Sequence, residues 1–178
     1  MALVKISKGA DIRHEYTDGV SRVPVLEGAY KDAAVERISL QPGAELSPAL
    51  YSKTEHNQVF LITAGKGYIA TPRRVFNITE VSVFVPDFDK EQFTFHCAAD
   101  AKECMEIVHF VTELNDYDKT CLKEAHLTLP RFRGVSQAWH YKEDFTGADI
   151  QQMMMIEHRN LGRLSMGANF GTGPNYIG

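Results

Sequence analysis

The chain has 178 residues, 44% hydrophobic and 24% charged, the balance of a folded globular chain and not of a disordered or fibrous one. Its formal net charge of −4 comes with no basic stripe, and the densest cluster, Arg131 and Arg133 around Phe132, is too small for a nucleic-acid footprint and reads as a solvated loop. No apolar run is long enough to cross a bilayer, Lys5 and Lys8 interrupt any signal-peptide core, and Cys97, Cys104 and Cys121 lack disulfide-frame or zinc spacing, so no membrane partner and a cytoplasmic address are expected.

In chain order, residues 34–40 carry β-forming side chains at alternate places and end at the turn Gln41-Pro42-Gly43. Residues 58–63 form a compact apolar strand closed by Ala64-Gly65-Lys66-Gly67, a hairpin turn whose glycines tolerate positive φ. Residues 68–70 supply the partner strand, and residues 75–78 a further one. Residues 81–85 read as a buried strand stopped by Pro86. Phe93, Phe95 and Cys97 alternate with Gln92, Thr94 and His96, and Met105, Ile107, His109 and Val111 alternate with Glu106, Val108 and Phe110. Phe60, Ile62, Val83, Val85, Phe93 and Phe95 are expected to be buried.

Beyond residue 113 the pattern weakens: residues 117–124 suit a short helix, Trp139-His140-Tyr141 an aromatic strand, and residues 150–156 either a helix or a buried strand. Arg37-Ile38-Ser39-Leu40 returns as Arg163-Leu164-Ser165-Met166, and Pro48 returns as Pro174, both at an offset of 126, as 163 − 37 and 174 − 48 show. Many short strands spaced by turns, with no long helix between them, make the fold class all-β, a sandwich or barrel.

Two segments carry a family resemblance. Gln58, six residues and Gly65 reproduce the end of the first cupin motif, in which a glutamate and a glycine are spaced that way behind a His-x-His pair. Residues 81–86 resemble the strand leading into the proline of the second motif, and Glu91-Gln92-Phe93 falls where that motif has His-x-Phe. The chain therefore resembles the cupin superfamily, which implies a double-stranded β-helix, or jelly-roll, barrel over residues 20–113. Residues 114–178 follow as a linker and strand-rich extension like the start of a second cupin domain, as in the N-terminal half of a bicupin. The resemblance also implies a homodimer.

Cupin metals such as Fe, Mn, Ni or Zn are held by imidazoles and a carboxylate, types suited to those ions. In this chain the His-x-His positions fall on Ser52 and Thr54, or on Tyr51 and Lys53, the glutamate position on Gln58, and the second-motif histidine on Glu91. None of the usual ligands stands at its place, so the site is degenerate and no cofactor is expected. The leading expectation is a small-molecule-binding or structural barrel whose pocket uses Tyr51, Lys53, His56, Gln58 and Glu91. The alternative is a metal-dependent dioxygenase, isomerase or lyase for a small polar substrate, with His56, Gln58 and Glu91 as ligands. A third is a metal-free enzyme with Glu91 as general base. His96 and His109 read as half-buried sheet residues, and His126, His140 and His158 are scattered. Met153 to Met155 read as core, and the GTGPN run at 171–175 as a turn.

Overall fold

A computed structural model describes residues 12–25, 28, 31–52, 55–87, 91–117, 119–120, 129–137, 139–142, 149–154 and 167–172, the last three stretches as backbone only. The strands are β1 (Val20–Pro24), β2 (Ala33–Leu40), β3 (Glu45–Leu46), β4 (His56–Ala64), β5 (Gly67–Ala70), β6 (Val75–Ile78) and β7 (Ser82–Val85). Then come β8 (Thr94–Cys97), β9 (Met105–Glu113), β10 (Arg131–Gly134), β11 (Trp139–Lys142), β12 (Asp149–Met154) and β13 (Gly167–Thr172). Every ladder is antiparallel. One sheet has the order β1-β2-β9-β4-β7-β10, and a second β3-β8-β5-β6. A third, β11-β12-β13, lies in the C-terminal segment.

The first two sheets share one core, the jelly-roll arrangement expected. Ile38, Leu40, Phe60, Ile62, Met105 and Ile107 enter it from the first sheet, and Ile69, Ile78, Phe95 and Cys97 from the second. At its centre Phe60 meets Phe95 at 5.0 Å and Phe93 at 5.5 Å between ring centroids, edge-on or tilted as aromatic quadrupoles prefer.

The β4–β5 turn needs both of its glycines, for different reasons. Gly65 takes φ +87°, and a Cβ there would lie 2.5 Å from Met105 Cα. Gly67 is required by proximity alone, since its Cβ would collide with the His96 carbonyl oxygen.

Several expectations are corrected. All six residues expected to be buried are buried, but β7 turns Phe84 to the shared core, opposite Phe60, so Val83 and Val85 lie on its other face. Arg131-Phe132-Arg133 is no solvated loop. It forms β10 beside β7, because Arg-Phe-Arg is a two-faced strand pattern that sends Phe132 against the core, 5.5 Å from Phe76. Of the two readings for residues 150–156, strand holds over Asp149–Met154. Gly171 and Thr172 end β13, so they are not the turn expected there. Asp116, Tyr117, Lys119 and Thr120 are helical, but residues 121–124 of the expected helix lie outside the described residues. So do Lys53, Thr54, Cys121, His126, Met155, His158, the second repeat at 163–166 and Pro174. Among the described residues no helix is long and apolar enough to cross a membrane.

Candidate functional site at the polar end of the barrel

The inward faces of β2, β9 and β4 change character along their length. Strand alternation places Glu36 with Ile38 and Leu40, His109 with Met105 and Ile107, and His56 and Gln58 with Phe60 and Ile62. Ladder register then aligns the polar members. His109 stands opposite Glu36 on one side and opposite Phe60 on the other, with Gln58 one inward position along.

These residues join into a chain across four strands. Arg22 of β1 donates from Nε and one terminal nitrogen to the Glu36 carboxylate, at 3.0 and 2.6 Å. Glu36 Oε1 lies 2.7 Å from His109 Nδ1, and His109 Nε2 lies 2.8 Å from Gln58 Oε1. The buried imidazole thus bridges a carboxylate and an amide, one ring nitrogen to each. Phe60 lies flat against that ring, 4.2 Å away and tilted by 2°.

Burial alone would push the Glu36 carboxyl up, but hydrogen bonds from His109 and Arg22 overcome it and hold the group down at about 2. The same bond to Glu36 raises the Arg22 guanidinium above its ordinary value. The charge is fixed at the rim too, since the Arg22 side chain is 44% exposed while His109 is 3% exposed.

The chain ends in an unmet demand. Gln58 is fully buried and its Nε2 has no hydrogen-bond partner; nor does the buried Nδ1 of His56, two residues away on the same face. Arg37 Nε, on the outward face of β2, is the one other such atom among the described residues, whereas three buried serines are matched. Ser39 donates to Glu106 at 2.6 Å, Ser21 meets His14 at 3.1 Å, and Ser82 donates to the Glu80 carbonyl at 2.7 Å.

Of the expected site residues, the structure gathers Tyr51, His56 and Gln58. The Tyr51 ring stands 5.5 Å from the His56 ring, and Tyr51 is near enough to Arg22 to act on it electrostatically. Glu91 is engaged elsewhere, by Arg73 Nε from the turn between β5 and β6. Ser52 is exposed and accepts the backbone N–H of His56 at 2.7 Å through its carbonyl. Among the described residues, no three His, Cys, Asp or Glu side chains come together as metal ligands.

Sequence reasoning missed Arg22 and Glu36, and it read His109 as half-buried. A signal existed: Glu36 shares the parity of Ile38 and Leu40, and His109 that of Met105, Ile107 and Val111. An ionisable residue on a core-facing position needs a partner, and two of them on adjacent strands predict each other.

No family model and no curated protein matches the sequence. Solved structures do. KdgF from a Halomonas species matches with a TM-score of 0.51 at 11% identity, over 65% of this chain and 98% of that one. A putative glyoxylate-induced protein from Pseudomonas aeruginosa matches with a TM-score of 0.57 at 8% identity, over 76% of this chain and 49% of that one, so the match spans about half of the longer protein. The fold is that of the cupins. The Cnp3 cupin domain of Schizosaccharomyces pombe lies a little further off, with a TM-score of 0.47 at 17% identity, over 62% of this chain and 75% of that one.

Proposed function

We propose that this cupin barrel binds a small molecule at its polar end and keeps no catalytic transition metal there. The observation that carries the reading is Gln58, which occupies the position of the motif's glutamate, is fully buried, and leaves its Nε2 donor without a partner. A buried donor without an acceptor costs about 1–3 kcal/mol, a cost a bound molecule removes. The donor chemistry argues against a metal on the same residues. Gln58 is already engaged with His109, the Glu91 carboxylate is held by Arg73, and His56 remains as a single imidazole. Catalytic zinc sites use three protein ligands.

One observation favours the second reading, a metal-dependent enzyme. His56 Nδ1 is an unpartnered nitrogen of the kind metals select. That reading requires Gln58 to release His109 and Glu91 to release Arg73. Elemental analysis of the chain purified without chelator separates the two. We expect well below one Fe, Mn, Ni or Zn per chain and little change in Tm when these ions are added. About one metal per chain, lost in His56→Ala, overturns the proposal in favour of the enzyme.

A further inference from the structure

We infer that the molecule bound at the polar end is a small organic anion whose oxygens accept from Gln58 Nε2 and His56 Nδ1, under the charge of Arg22. The inference deepens the small-molecule reading above and rests on it.

Donor count is the first argument. Gln58 Nε2 carries two N–H groups, and neither is satisfied. His56, on the same face of β4 two residues away, offers a second nitrogen, a donor as the Nδ1–H tautomer. Two buried donors on one strand face suit a carboxylate, which accepts at both oxygens and gains charge-assisted bonds of about twice the neutral strength.

Charge is the second argument. At the rim end of the chain Arg22 holds a permanent positive charge, 44% exposed and paired with the single Glu36 carboxylate. Two further carboxylates are not engaged with it. Glu113 pairs with His56 in the β4–β9 register but is exposed, and Glu91 is neutralised by Arg73. An organic acid would turn its carboxylate toward the guanidinium and lay an apolar body against the Tyr51 ring. Both nitrogens lie beneath the solvent-accessible surface, with the Tyr51 ring 5.5 Å from that of His56.

The test is an NMR titration of the full chain, labelled with 15N, against sodium acetate, its neutral isostere acetamide, and methylammonium chloride, all at constant ionic strength. The Gln58 side-chain amide is assigned by its disappearance in Gln58→Leu. We expect acetate alone to shift that amide saturably, about tenfold more weakly in Arg22→Gln, whose side chain lies at the exposed rim. In Gln58→Glu, which places a negative charge where the anion sits, the backbone amides of β4 that acetate shifts in the parent no longer respond. Saturable shifts from acetamide or methylammonium in place of acetate overturn the anion and leave the small-molecule site standing. Methylammonium alone would mean that Gln58 presents its oxygen to the ligand and its nitrogen to His109. Silence from all three probes on every β4 resonance overturns the anion and the small-molecule reading together.

Discussion

Three strands of this barrel carry two different interiors. At one end of β2, β9 and β4 the inward positions are Leu40, Met105 and Ile62, all fully buried and apolar. Two or more positions along, on the same faces, they are Glu36, His109 and Gln58, bonded to one another and leading out to an exposed Arg22. The apolar end holds the sheets together through area removed from water and ring packing. The polar end forgoes that gain and keeps a donor unsatisfied. A shared backbone register thus lets one set of strands change from an apolar core to a polar chain within a few residues, with Phe60, stacked on His109, at the boundary.

The largest effect that sharpens this contrast is expected at that boundary. Phe60→Ala removes a fully buried ring from the core centre and should cost about 3–5 kcal/mol in urea unfolding. A cost near that of a surface change would move Phe60 out of the core.

A smaller effect is expected one step into the polar end. His109→Leu keeps the volume apolar but strips Gln58 and Glu36 of a hydrogen-bond partner, so stability should fall by about 1–3 kcal/mol despite the added hydrophobicity. A gain in stability would show that Gln58 and Glu36 find other partners and that the chain is not a coupled unit.

Acid reaches the polar end in particular. The Glu36 carboxyl is held down at about 2 from an ordinary 4.5, so the folded state binds this proton less readily than the unfolded state. Its contribution is complete above pH 4.5 and is lost as the pH falls toward about 2. Unfolding free energies across that window should decline less steeply in Glu36→Gln than in the parent. Identical slopes would remove Glu36 from the acid response.

The apolar end was legible in the sequence because its signals are local. Phe60, Ile62, Phe93 and Phe95 follow strand alternation, and Gly65 sits where a tight turn needs positive φ. Gln58 was legible through its spacing to Gly65. The rest of the site was not, because it is made by pairing across strands distant in sequence. Glu36 and His109 are 73 residues apart, and only the β2–β9 ladder makes them neighbours. Arg22 lies on a five-residue strand ending in proline, too short to show a pattern. Glu91 stood at the motif position, but its partner Arg73 comes from another turn, which no reading of the Glu91 segment reveals. Phe84 displaced its neighbours from the core because facing Phe60 across β4–β7 outweighs the β-branched signal of Val83 and Val85.

The central claim is that the polar end is kept for binding and not for the fold. The direct measurement is the unfolding free energy of the triple variant Glu36→Leu, Gln58→Leu and His109→Leu. Replacing a complete buried polar network by apolar residues of similar volume is often neutral or stabilising by about 1–4 kcal/mol, whereas removing one member is not. The triple variant is expected to be at least as stable as the parent and more stable than His109→Leu alone, with the acetate response of the β4 resonances gone. A triple variant less stable than the single one would contradict it, and would make the polar chain a structural part of the barrel.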